Sequence, residues 1–557
     1  MKMKNIKFIL ILAIGLFTFH SCETIDLDKR ENPNELTPSQ ADIDLSMNAI
    51  LIRLGSFTEQ VGEYGSEFTR IRNMFGNNYA NVYSPATFSG QWNLAYADIL
   101  NEIRAMNAQI DGLEGEFEKH RAVGEVVEAY VIVTLVDYFG DIPYSEGLSE
   151  TNLTPAIDQG SDVYQAALDL LDDAIVKFQQ PTTVELANDF YYDNDYEVWE
   201  RLANTIKMKI YIQSRLVDPN ALSNFEAIAS SGNFIQEGED FVFEWGSNLD
   251  NPNSRHPLYN DQYAPGGPAV HYMSNWLMDR MVNSQDVPDP RIRYYFYRQV
   301  DDVLSNVNPE TGEEKRCVVQ TIPPHYANNG VVYCVIDNNN GLWGRDHGSQ
   351  DGIPPDGFLR TAFGIYPAGG RFDDDSFEII DDNNYGAEGN GVSPIILAST
   401  VDFWRAEAAL VGGAGAADQF LESAITKHIN YVRTFTSRSA ATFDETFIPD
   451  PSVDADYINS VITAFNAGTT QEKLNIHAEQ FFISLIGNGT DAYNFYRRVG
   501  APTDIQPNIE PNPGPFPRSF FYPTSEVQAN PNVSQKEDLT VRVFWDNNPV
   551  SGFPENN

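Results

Sequence analysis

The chain has 557 residues, 42% of them hydrophobic and 21% charged, with a formal net charge of −43 at pH 7. That is ample for a large core, and length alone allows roughly three to four domains. So acidic a surface argues against nucleic acid and against anionic headgroups as partners.

Met1–Lys7 is basic, Phe8–Phe19 is an apolar run, and His20-Ser21-Cys22 follows. Length and flanks predict a secretory signal rather than a spanning helix. A Cys after a small residue at the end of such a run resembles a bacterial lipobox, with Cys22 as the lipidated first residue. Phe19-His20 replace its usual Leu and small residue, and an ordinary signal with a chance Cys is the plainer alternative. Loss of Lys2, Lys4 and Lys7 with the leader would take the mature chain to −46. Glu23, Asp26 and Asp28 resemble the acidic export signal of surface lipoproteins in the Bacteroidota. The expected organisation is therefore a signal peptide over 1–21, a lipidated tether over 22–38 and a single domain over 39–557.

Ala41–Val61 has apolar residues at helical spacing, and Arg70–Gly90 reads as an aromatic, Asn-rich loop. Four helix pairs are predicted after it. Gln91–Ile110 pairs with Ala122–Phe139, and Asp162–Phe178 with Tyr196–Leu216. Ser399–Val411 pairs with Ala416–Phe435, and Gln471–Ile486 with Thr490–Val499. Ala129–Phe139 is apolar on nearly every face, as in a helix buried on all sides. It stops at Gly140, which suits a left-handed cap, and Pro143 cannot continue it. Ala97, Ala166-Ala167 and Ala406–Ala409 supply small residues for close helix contact, a spacing that resembles tetratricopeptide hairpins.

The pairs are split by a loop-rich insertion over Asp218–Pro394, with one helix predicted at His271–Val282. Loops of this length are usually functional. The C-terminal stretch Ala501–Asn557 is irregular and ends in a strand-like Leu539–Trp545. Cys317 and Cys334 flank a turn-rich segment, Ile322–Gly330, and in an exported protein such a pair is expected to bridge. Without CxxC spacing it makes a poor zinc site.

The whole is similar to the SusD/RagB family of nutrient-binding outer-membrane lipoproteins, in its SusD-like branch. The resemblance rests on the lipobox with Asn32-Pro33-Asn34, on WNLAYADIL at 92–100 and on LVDYFGDIPYSEGL at 135–148. It continues in DVYQAALDLLDDA, WERLANTIKMKIYIQSR, the segment from Gly344 through IYPAGG, and DFWRAEAA at 402–409. It implies a mainly α fold, a tetratricopeptide-like scaffold of helix pairs with long irregular loop insertions. It also implies a role without chemistry or cofactor. Such proteins sit as lids on a SusC-like TonB-dependent transporter and deliver oligosaccharides or peptides to it.

Sugar rings stack on aromatic faces, and hydroxyls need convergent polar groups. Two loops offer both: one carries Arg72, Asn77, Asn78, Tyr79 and Tyr83, the other Tyr326, Trp343, Arg345 and His347. These are the candidate ligand residues, although Tyr79 and Tyr83 also suit a transporter contact and Trp343 also suits loop packing. Trp92, Trp199, Trp276 and Trp404 lie on predicted helices and read as core. Asp373-Asp374-Asp375, with Asp381-Asp382, lacks the Gly and terminal Glu of a hand-type calcium loop and reads as a solvated acidic turn. No HxxxH, HExxH, GxSxG or Walker loop is present, so no metal or catalytic residue is expected. A surface adhesin and a secreted glycosidase are the competing classes.

Overall fold

The computed structural model describes residues 43–113, 116–149, 151–182, 184–263, 271–303, 317, 320–336, 341–350, 360–380 and 385–548. Cys22, the leader, the tether and Asp381-Asp382 lie outside them. Asp44–Asn557 forms one compact unit.

Helix α1 (Ile43–Phe68) is longer than its periodicity suggests and ends in the aromatic loop. Ser89–Asn93, a π-helical Leu94–Leu100 and α2 (Asn101–Ile110) form one continuous rod. Helix α3 (Glu118–Phe139) is the predicted central helix, and every residue from Val126 to Phe139 is buried. It packs most extensively on α4 (Gly160–Phe178), which then packs on α5 (Tyr196–Ser214). The α4–α5 pair is the expected one, whereas α3 packs mainly on α4 rather than on the helix before it, because it is apolar all round and accepts a partner on any face. Lys119 fastens this pair: its Nζ donates to Phe178 O at 2.5 Å and Gln180 O at 2.7 Å, capping carbonyls at the end of α4.

The insertion opens with α6 (Ala221–Ser231), a helix not anticipated, and holds α7 (Asn275–Asn283). Strand β1 (Phe241–Glu244) pairs antiparallel with a later strand, Val392–Ile396, which feeds directly into α8 (Ala398–Leu410). Helix α8 packs on α9 (Ala417–Arg433) as expected. Helix α10 (Pro451–Ala467) was not anticipated, and it packs between α9 and α11 (Thr470–Ser484). The last long helix, α12 (Gly489–Val499), touches α1 backbone to backbone: a Cβ on Gly65 would stand 2.0 Å from Gly489 O.

Leu539–Trp545 is not a strand. Its apolar residues are spent on the end of α3 instead. The buried Asp137 carboxylate accepts from Trp545 Nε1 at 2.9 Å, from Asn494 Nδ2 at 2.6 Å and from the Tyr164 hydroxyl. Phe520 stacks on Tyr138 at 5.1 Å. Trp92, Trp199, Trp276 and Trp404 are all buried.

Gly140 closes α3 at φ 77° and ψ −120°. That is not the left-handed helical cap expected from the sequence, but another positive-φ conformation, equally closed to branched residues. A Cβ there would meet only Val543, at 3.9 Å, so the cost of substitution is backbone strain. Gly140→Val is expected to destabilise the protein by about 1–3 kcal/mol, read as a lower urea midpoint. An unchanged midpoint would contradict the positive-φ assignment.

Candidate ligand-binding loops

The two candidate loops do meet, and a third segment joins them. Gly348 N donates to Met74 O at 3.1 Å, and Ile509 N to His347 O at 2.8 Å. Tyr79 N reaches Pro513 O at 2.9 Å, and the Tyr326 hydroxyl reaches Pro507 O at 2.7 Å. Residues 506–513 belong to the irregular C-terminal stretch, whose part in this cluster no local pattern signals.

Asp346 is the pin of the junction. Its buried carboxylate accepts from Asn275 Nδ2 at 3.0 Å, from Gln506 Nε2 at 2.9 Å and from Cys334 N at 2.8 Å. Burial pushes its pKa up, against those donors. Cys334 is disulfide-bonded to Cys317, 17 residues away in sequence. Removing the bridge with Cys317→Ser and Cys334→Ser is expected to cost up to about 3 kcal/mol. The loss should appear first as faster amide exchange in residues 320–336. Unchanged exchange there would contradict a stapling role.

The candidate side chains themselves are placed differently from the expectation. Tyr79 is 1% exposed, and Tyr83, Tyr326 and Trp343 are fully buried, so none offers a ring face to a sugar. The Tyr83 hydroxyl donates to Glu67 at 2.5 Å, and Trp343 lies under the Arg360 guanidinium at 3.5 Å. His347 is buried, with Nε2 3.1 Å from the Tyr79 hydroxyl; burial and then Arg70 hold its pKa well below the usual value, leaving it neutral. Arg72 points inward, 3.9 Å from Glu63 and over the Phe363 ring. Arg345 is buried over Tyr272 at 4.2 Å. Asn78 caps the short helix Tyr79–Val82, accepting from Asn81 N at 3.1 Å. Aromatic residues in polar loops bury themselves because a loop cluster this large needs its own core.

What the cluster does expose is different. Phe75 is 37% exposed, its ring 5.5 Å from the Arg345 guanidinium. Asn77, His325, Tyr333 and Ser349 are half-buried on the same joined loops. His325 Nε2 lies 2.9 Å from Asn508 O, and Asn508 packs against Gly348. An exposed aromatic ring on loops that also carry amide, imidazole and hydroxyl groups offers the kind of chemistry that can stack on and hydrogen-bond a sugar.

A mainly helical scaffold carrying such loops leaves the question of kinship. The model of the family described as "Starch-binding associating with outer membrane", SusD-like, matches residues 39–315. Over these residues the chain is SusD-like. A solved SusD/RagB family protein from Bacteroides thetaiotaomicron shares its fold, with a TM-score of 0.67 at 18% identity over 91% of this chain and 99% of that one. A protein named for chitin binding gives 0.65 at 19% identity over 92% and 100%. A chitin-binding SusD homolog from Flavobacterium johnsoniae gives 0.60 at 18% identity over the same shares. No curated protein matches the chain in sequence.

In this SusD-like chain, Asp373 and Asp375 are neutralised by Arg298 and Arg293. Among the described residues no group of His, Cys, Asp and Glu is arranged to hold a metal ion, and no helix is long and apolar enough to cross a membrane.

Proposed function

We propose that the protein is a lipid-anchored receptor at the surface of the outer membrane that captures oligosaccharides and passes them to a SusC-like TonB-dependent transporter, with no catalytic step. The observation that carries this reading is the SusD-like scaffold with Phe75 and its polar neighbours displayed on three tied loops. Two structurally similar proteins are named for chitin binding, which makes chito-oligosaccharides the first ligands to try. Anchoring at Cys22 accounts for membrane association in a chain without a spanning helix among its described residues. The test of the partnership is to tag the chain in its native membrane and identify what co-purifies. A TonB-dependent barrel in near-stoichiometric amount is expected; its absence under mild solubilisation would refute the delivery role.

A further inference from the structure

A concavity of about 340 Å³ opens elsewhere, between the insertion and the start of α10, at the low end of the size range of small-ligand sites. Val282, Pro288, Pro290, Ile292, Leu342 and Val453 form its walls, and no aromatic ring lines it. Two phenylalanines stand beside it instead. Phe447 is half-buried with the Arg293 guanidinium 4.9 Å from its ring, and Phe377 is half-buried against Arg298 at 5.1 Å. Phe377 has φ 51°, a backbone state a bulky residue rarely adopts and one that clusters where a loop must aim a side chain.

The polar chemistry of the cleft is selective. Arg298 pairs with Asp373 at 2.6 Å, and Arg293 Nη1 donates to Asp373 O at 2.9 Å and Asp375 at 2.7 Å. Two guanidinium charges therefore face two carboxylates, and Asp289 is matched by Arg291 at 2.5 Å. Arg293 Nε and Nη2 have no hydrogen-bond partner among the described residues, and the side chain is 28% exposed. A locally neutral cleft in so acidic a protein gives no net attraction to a carboxylate or phosphate. An unengaged N–H edge beside aliphatic walls suits a neutral acceptor next to a branched apolar group. Sugars, which need a stacking face and many hydroxyl partners, fit it poorly.

We infer that this cleft binds a peptide segment, seating a leucine-like side chain between the proline and valine walls while a main-chain carbonyl accepts from Arg293. Of its lining residues only Leu342 lies on the Phe75 loops, beside the buried Trp343, and none is among the groups exposed around Phe75, so peptide binding here and glycan binding there are tested separately.

The probe is the blocked tetrapeptide acetyl-Ala-Leu-Pro-Ala-amide, titrated calorimetrically into the mature chain carrying Cys22→Ala, with serine replacing the leucine in a control peptide. Burial of one leucine side chain predicts about ten- to hundredfold tighter binding of the leucine peptide. Val453→Asp should abolish the difference. Phe447→Ala, at a half-exposed site, should weaken binding severalfold and serves if the first variant fails to fold. No binding of the leucine peptide, or equal affinity for the two peptides, would overturn the inference. So would retention of full affinity in Phe447→Ala and Val453→Asp, or competition by dodecanoate, which would make the cleft an acyl-chain site.

Discussion

Glu407→Gln is expected to destabilise the protein by about 3–5 kcal/mol. Glu407 is fully buried on α8 and accepts from Arg498 through Nε at 2.8 Å and Nη2 at 2.7 Å, and from Arg215 Nε at 2.9 Å. The contacts join α8 to α12 and to the end of α5, so the pair holds the two halves of the scaffold across the insertion. Burial alone would raise the carboxyl's pKa, but the two guanidiniums overcome it and hold the pKa at about 2, against an ordinary 4.5. A folded-state pKa below the unfolded one means stability that is complete above pH 4.5 and lost as pH falls toward 2. The shift corresponds to about 3 kcal/mol. Urea midpoints measured between pH 6 and 2.5 should therefore fall less steeply in Glu407→Gln than in the wild type. Parallel pH profiles would show that Glu407 does not carry the acid sensitivity assigned to it.

Cys22→Ala is expected to remove the protein from the outer membrane altogether. Acyl chains contribute about 0.8 kcal/mol per buried CH₂. A chain of net charge −43 has no electrostatic attraction to anionic headgroups that would replace them. Palmitate labelling and sucrose-gradient fractionation read the outcome directly. The variant should lose both the label and the outer-membrane fraction, while detergent-dependent release of an unlabelled protein from that fraction would contradict lipid anchoring.

The scaffold was legible because helix signals are local. The all-round apolar Ala129–Phe139 and the glycine after it placed α3 to within a few residues, and the small-residue runs marked α8. Helix α10 was missed although its start was written in the sequence: Asp450 caps the first turn, accepting from Ser452 N at 2.9 Å, and Pro451 takes the first helical position. Register between helices was not legible, since α3 offers no single polar face to fix its partner.

The site was half legible. Composition pointed to two loops that the structure brings together, but the rings it singled out are buried there. Tyr79, Tyr83 and Trp343 are the large rings that a loop cluster buries first. Phe75, just before Gly76 at φ 134°, is the ring left at the surface. The third segment, residues 506–513, enters through contacts far apart in sequence, which no local pattern encodes.

The most direct measurement is affinity electrophoresis of wild type and Phe75→Ala through gels containing a panel of polysaccharides, glycol chitin and starch among them. Retardation of the wild type by one glycan, reduced about tenfold or more in Phe75→Ala as expected for loss of a stacking ring, is the predicted result. Equal retardation of both proteins would place the ligand away from the Phe75 loops. No retardation of the wild type by any glycan would contradict oligosaccharide capture itself.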